Sequence, residues 1–374
     1  MEIRDILKLL PKGYKEACWE TKAMSRRKGI QDEETLITLC LYYAYDHSLI
    51  EVKNYAKILK LANISDVGFM KRFIRCGEWI KWILAHMSQG EVIKYEKPEL
   101  LNEYRVMAID ASDITQKGAV RQSWHLHYAV NLFTMSSEIF KITTEKTGET
   151  LKNFDLTSKD LVLADRVYAS ISGMEYCRNV GADFILRLRN KAFTLYDSMG
   201  NKVILSELLK EVKNTCCDFM VYYKDYNNKL TPIRLCAVKK NEKEIKFTNQ
   251  RIKRTESKKQ LVFSEETKFT HNYFFVITSL DKNFTCEQIL ELYKLRWQVE
   301  MVFKRYKSIL NLGSMPTKTA SSSEVWLNCK MLIAVLIEKL LSEVDFSPYI
   351  TQKKPLEGNE DIIPFDFNVL YENK

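Results

Sequence analysis

Residues 289–310 read Ile289-Leu-Glu-Leu-Tyr293-Lys-Leu-Arg296-Trp297-Gln-Val-Glu300-Met-Val-Phe-Lys-Arg-Tyr-Lys307-Ser-Ile-Leu310. Turned at about 100° per residue, the stretch forms one amphipathic helix with Tyr293, Arg296, Glu300 and Lys307 within about 60° of one another. Leu292, Leu295, Val299, Val302, Phe303, Tyr306 and Leu310 fill the adjoining sector, roughly 100° wide. One face packs, and the next presents a tyrosine, an arginine, a carboxylate and a lysine in a row. The same spacing also describes an ordinary solvated helix face, so its meaning depends on what the rest of the chain supplies.

With 374 residues, 46% of them apolar and 11% aromatic, the chain can bury a large core spread over two or three domains. No run approaches 18 uninterrupted apolar residues and Met1-Glu-Ile-Arg-Asp lacks a signal pattern, so an intracellular protein without a membrane partner is expected. Nine cysteines without a C-x-x-C pair read as reduced thiols. The histidines lack metal-ligand spacing, and His125 and His127 flank Leu126 on an expected strand, which argues against structural zinc. The net charge of +9 is unevenly placed: between Lys239 and Lys259 nine Lys or Arg face three Glu. Such a run, with Lys253, Arg254, Lys258 and Lys259 at its densest, suits either a solvated loop or a polyanion such as DNA.

From residue 1 to 96 the pattern is helical. Helices are expected over Thr35–Ala44, Leu49–Leu59 after a Ser48 cap, and Asp66–Trp79 after a Ser65 cap. The last carries Lys71, Arg72 and Arg75, which fits a DNA-binding bundle or a plain helical domain with solvated lysines. Strands take over near Lys97-Pro98. Tyr104–Asp110 is an apolar run ending in a carboxylate, Trp124–Phe133 and Glu138–Thr144 follow, and Leu161-Val-Leu-Ala-Asp165 repeats the first form. A helix over Ser170–Val180 and a strand over Asp183–Arg189 complete a mixed α/β sheet with flanking helices, first part 97–192. Residues 193–268, with strand-like runs at Phe219–Tyr223 and Ile233–Val238, read as a β-rich insertion. The core then resumes over 269–345 with strand Tyr273–Ser279, the helix quoted above and an apolar helix over Ser323–Glu343. The tail, 346–374, holds three prolines and mixed charge and is expected to be poorly ordered.

Two strand-end aspartates, Asp110 and Asp165, and the helix-borne Glu300 form the chemically suggestive set, although a strand-ending Asp is often only a turn residue. Three carboxylates brought together repel one another and need protons or cations between them. Two Mg²⁺ ions roughly 3.5–4 Å apart suit such a site: they prefer oxygen ligands and leave positions for water and phosphate. Arg296 and Lys307 then sit ready to hold phosphates, and Tyr293 to hydrogen-bond a backbone oxygen or stack on a base.

The pattern Tyr293-x2-Arg296-x3-Glu300-x6-Lys307 resembles the Tyr-Arg-Glu-Lys signature of bacterial insertion-sequence transposases with a DDE active site on an RNase H-like fold. Ala108-Ile-Asp110-Ala-Ser resembles the first catalytic strand of that group, and Leu163-Ala-Asp165-Arg-Val-Tyr168 its second motif. The 135 residues separating Asp165 from Glu300 resemble its β-strand insertion, and Ile64–Arg72 its DNA-binding region; about residues 30–340 are covered. The resemblance implies cut-and-paste transposition: Mg²⁺-dependent (or Mn²⁺-dependent) hydrolysis at Asp110, Asp165 and Glu300, a hairpin at each element end, and strand transfer into target DNA. It assigns Tyr293, Arg296 and Lys307 to phosphates of the terminal inverted repeats and Trp297 to a displaced base. It also implies a homodimer in a synaptic complex, located with the nucleoid in a bacterial cytoplasm. The chain departs from the group in its short, proline-interrupted stretch after 343. Two other readings fit the same residues: a catalytically silent protein bound to transposon ends, and an RNase H-like nuclease that cuts without joining.

Overall fold

The computed structural model describes residues 6–87, 97–116, 124–212, 216–312, 314–317 and 319–342; side chains at 116, 302, 303, 305–307, 309, 314, 341 and 342 are outside that description. The described amino-terminal residues include helices α1 (Tyr14–Glu20), α2 (Glu33–Ala44), α3 (Leu49–Ile58), α4 (Asp66–Arg75) and α5 (Gly77–His86). Their starts are set by side chains that satisfy the free amides of a first turn. Asp32 accepts from Thr35, Ser48 and Glu51 form a capping box, and Ser65 accepts from Gly68. The single helix expected over Asp66–Trp79 is broken. At Cys76 the chain tightens through a Cys76 N–H to Phe73 carbonyl bond before α5 begins at Gly77, so Phe69 and Phe73 on one helix and Trp79, Ile80 and Ile83 on the next reach one core.

The central sheet follows as β1 (Arg105–Gln116), β2 (Trp124–Asn131), β3 (Ser137–Thr144) and β4 (Asp160–Ala164), then α6 (Ile171–Val180) and β5 (Asp183–Arg187). β2 is antiparallel to β1 and β3, while β1, β4 and β5 run parallel. The expected α/β, RNase H-like mixed sheet is therefore present. The expectation that β1 ends at Asp110 is corrected: the strand continues to Gln116 because β2 stays paired with it as far as Ile114.

Residues 193–268, expected to be β-rich, hold helices as well as strands. They contain β6 (Leu195–Tyr196), β7 (Lys202–Val203), α7 (Leu205–Leu209), β8 (Cys217–Lys224), β9 (Leu230–Lys239), α8 (Glu242–Lys259) and α9 (Glu265–Thr270). Their strands join the central sheet through β10 (Tyr273–Thr278), which lies antiparallel to both β5 and β9. Among the described residues ten strands run in the order β3-β2-β1-β4-β5-β10-β9-β8-β6-β7, and a short eleventh off this path pairs with β1. The buried Arg234 of β9 secures the junction, reaching Asp218 Oδ2 at 3.1 Å and the carbonyls of Leu280 and Phe284 at 3.1 and 3.0 Å.

After β10 come α10 (Cys286–Lys294), α11 (Trp297–Ile309), β11 (Ser314–Met315), which pairs in parallel with the end of β1, and α12 (Ala320–Ser342). α12 is long and apolar enough to span a membrane, but most of that stretch is buried inside the protein, against α2, α5 and β3. Strand alternation divides the core in two. Val106, Ala108, Leu161 and Leu163 face α10, α11, α12 and the amino-terminal helices, whereas Met107, Ile109, Val162 and Ala164 face α6 and the insertion. The expectation for the tail, 346–374, lies outside the described residues.

β1 and β4 are locked at their starts by Arg105, whose Nε and Nη2 meet the two carboxylate oxygens of fully buried Asp160 at 2.7 and 3.0 Å. Arg105→Met strands that carboxylate and is expected to cost about 3 kcal/mol, read as a lower urea midpoint, with Arg105→Lys losing less.

Candidate active site

Parallel pairing of Ile109 with Ala164 makes Asp110 and Asp165 neighbours across two strands. Each lies two residues after an inward-facing partner, Ala108 or Leu163, so both side chains belong to the face covered by α10 and α11. β4 stops at Ala164 and frees Asp165. Asp110 stands within a continuing strand, at the level where its parallel neighbour ends.

The helix expected over 289–310 is two helices. At Leu295 and Arg296 the hydrogen bonds shorten to the i→i−3 type, Leu295 to Leu292, Arg296 to Tyr293, Gln298 to Leu295 and Val299 to Arg296. Such a tightened turn is a joint between segments that pack separately. α10 is fixed by its buried side: Tyr293 is buried, and its hydroxyl donates to the Ala164 carbonyl at 3.3 Å, directly before Asp165. Burial pushes that phenol up to about 12.

Arg296 occupies the joint. Its Nη2 donates to Glu300 Oε1 at 2.6 Å, its Nη1 lies 3.9 Å from Asp110 Oδ2, and its guanidinium is 5.8 Å from the Tyr293 ring centroid. The side chain is 11% exposed, and its Nε is buried without a partner among the described residues. Glu300, 47% exposed, is thus drawn aside by the arginine. Of the residues expected to face DNA phosphates, Tyr293 anchors the helix and Arg296 bridges two carboxylates. Trp297, half-buried, opens α11. Lys307 lies two turns beyond Glu300, and its side chain is outside the described residues.

Burial, then the charges of Glu300 and Asp165, push the Asp110 carboxyl up to about 6, against the opposing pull of the Ala111 amide and Arg296. A cation relieves that repulsion, and the donors present are carboxylate oxygens, which fit Mg²⁺ or Mn²⁺. Among the described residues no three His, Cys, Asp or Glu side chains stand close enough to share one ion. The two aspartates are adjacent, and Glu300 is bonded to Arg296.

Two further residues border the site. Tyr168 is fully buried, and its hydroxyl has no hydrogen-bond partner among the described residues. Burial, with Glu149, Asp110 and Asp165, holds its phenol well above the usual range. Burial likewise raises the Glu149 carboxyl, with Asp113 and Asp165 adding to the effect. Tyr168 has a sequence signal, three residues after Asp165; Glu149, in irregular chain after β3, has none.

Positive charge collects in two places. A groove of about 930 Å³ between the 26–31 segment, the end of α3 and α4 is lined by Arg26, Lys28, Lys57, Lys60, Lys71 and Arg75, with no acidic side chain among its lining residues. Arg72 turns inward to the Arg26 carbonyl at 3.4 Å. The basic run is a helix: Lys253, Arg254, Lys258 and Lys259 are exposed on α8, and Ile252 is its buried contact.

A family model described as the transposase DDE domain matches residues 101–336. The chain is 28% identical over 339 residues to a putative transposase, InsL, for insertion sequence element IS186A of Escherichia coli K12, covering 87% of this chain and 90% of that protein. It is 28% identical over 340 residues to the transposase for IS421 of Escherichia coli, with the same coverage. To the transposase for IS231C of Bacillus thuringiensis subsp. berliner it is 27% identical over 369 residues, covering 88% and 77%.

Since the folded Asp110 carboxyl titrates near 6 and an unfolded one near 4, its ionised form destabilises the metal-free fold, an effect absent below pH 4 and complete above pH 6. Asp110→Asn is therefore expected to raise the melting temperature at pH 8, by the equivalent of roughly 2 kcal/mol, with the gain vanishing by pH 4 in a differential-scanning series.

Proposed function

The chain belongs to the DDE-domain transposases of insertion sequences, enzymes that cut and join DNA, and we propose that it performs cut-and-paste transposition at Asp110, Asp165 and Glu300. The observation that carries this reading is the juxtaposition of two aspartates on neighbouring parallel strands with a helix-borne glutamate held by an arginine. Divalent ions bound by these three carboxylates would polarise the scissile phosphate and lower the pKa of an attacking water or 3′-hydroxyl. The protein's own part is positional. The β1–β4 register sets the separation of the aspartates, Tyr293 fixes α10 against the end of β4, and Arg296 keeps Glu300 beside the pair while offsetting their repulsion. Once Glu300 turns to the aspartates, the Arg296 guanidinium is left to a phosphate oxygen, with Lys307 beyond it and Trp297 placed to stack on a displaced base.

Hydrolysis frees a 3′-hydroxyl at each element end, that hydroxyl attacks the opposite strand to close a hairpin, and the reopened end joins target DNA. One chain carries one carboxylate trio and an element has two ends, which supports a homodimer holding the two terminal inverted repeats together. The amino-terminal groove and α8 supply the positive surfaces on which the flanking duplex is read as resting, which gives residues 1–96 a DNA-binding role.

Strand cleavage of a duplex bearing the element's terminal sequences, with Mg²⁺ or Mn²⁺, tests the assignment. Glu300→Ala is expected to abolish nicking and hairpin formation while end binding stays within about threefold of wild type. Equal cutting by the variant removes Glu300 from the trio, and binding without cutting by wild type favours the silent end-binding alternative. Nicking that never leads to joining favours the nuclease.

The two basic surfaces are separable. Replacing Lys60, Lys71 and Arg75 with Gln is expected to flatten the dependence of log affinity on log salt by about 0.9 for each phosphate that is no longer neutralised. The same measurement on Lys253, Arg254, Lys258 and Lys259 neutralised together shows whether α8 also touches DNA; an unchanged slope makes it a solvated helix.

A further inference from the structure

Lys330, in the middle of α12, is fully buried. Its ammonium donates to Asp46 Oδ2 at 2.9 Å and to the Leu310 carbonyl, and lies 4.8 Å from the Trp326 ring centroid. Leu310 directly follows α11, so the cation sits at the carbonyl end of the helix that carries Glu300, where the helix dipole favours positive charge. Asp46 lies in the short loop between α2 and α3, with a left-handed backbone at φ 70°. α3 and α4 border the basic groove. A single ammonium therefore joins the loop before α3, whose other end lines the groove, to the far end of the glutamate helix. The ammonium is fully enclosed while its Asp46 partner is 35% exposed; enclosing a cation costs solvation that apolar packing of the same volume avoids, and its two contacts lie on separate elements.

We propose that Lys330 is a positioning residue that couples occupancy of the amino-terminal groove to the placement of Glu300, through Asp46 on one side and the Leu310 carbonyl on the other. The coupling rests on the reading of the groove as a DNA site. The mechanics follow from the joint at 295–296. α10 is held by Tyr293, whereas α11 is tied at its far end through Lys330. A shift of the 45–48 loop when the groove is filled turns α11 about the joint, and Glu300, one turn from the pivot, moves between Arg296 and the aspartates.

The test uses the full chain and a double variant, Asp46→Asn with Lys330→Met, which removes both charges and leaves neither ion buried alone. Four quantities are compared: melting temperature, affinity for end duplex, cleavage rate with Mn²⁺, and amide exchange over residues 297–310 with and without duplex in metal-free buffer. In wild type, bound duplex is expected to slow exchange over 297–310 at least threefold. The double variant is expected to melt within a few degrees of wild type, bind duplex within threefold, lose that protection and cut at least tenfold more slowly. A double variant that cuts at the wild-type rate overturns the coupling, as does a wild type whose 297–310 exchange ignores bound duplex, a result that holds even if the variant fails to fold. Protection without any cutting by wild type supports the coupling while counting against transposition. Absence of duplex binding by wild type overturns both.

Discussion

Asp110 and Asp165 are side by side because Ile109 pairs in parallel with Ala164, and the rest of the site answers the repulsion this creates. The Asp110 carboxyl is pushed up to about 6 by burial and by its neighbours. Arg296 supplies the opposing charge, bonded to Glu300 and close to Asp110. It is itself buried, so its guanidinium is held by the carboxylates as firmly as it holds them. The arginine is thus shared between Glu300 and Asp110 and offsets the charge that gathers there.

Most of the elements could be read from the chain because their local signals agree with their packing. Ser48 and Ser65 cap the helices they were expected to cap, and the alternation in β1 and β4 places Ala108 and Leu163 on the helix-covered face, which fixes the direction of both aspartates. The family resemblance adds what spacing alone left open, implying a metal-binding role for Asp110, Asp165 and Glu300. The features that were not legible all depend on distant partners. β1 extends past Asp110 because β2 and β11 supply hydrogen bonds for it, and nothing in Ala111–Gln116 announces them.

The helical wheel failed at one informative place. A continuous α-helix puts Tyr293 and Arg296 on the same exposed stripe as Glu300, but the i→i−3 bonds at 295–299 rotate the two halves relative to each other. Tyr293 turns into the core, Arg296 lies between, and Glu300 remains half exposed. Leu292, Leu295 and Val299 remain buried across the turn, which is why apolar periodicity shows no break there. Lys330 was invisible for a related reason: within an apolar helix it reads as an exception, and only the fold brings Asp46 and Leu310 to it.

The extended sheet has a bearing on how such a chain can change over generations. Because β9 and β10 continue the central sheet, and Arg234 binds the Leu280 and Phe284 carbonyls that lead into α10, the near side of the insertion is part of the catalytic frame and has little freedom to drift. The far side ends in β6 and β7, two residues each, at an open margin. Lengthening or trimming at that margin leaves the β1–β4 register and the α10–α11 joint untouched, so lineages can diversify there while the chemistry stays fixed.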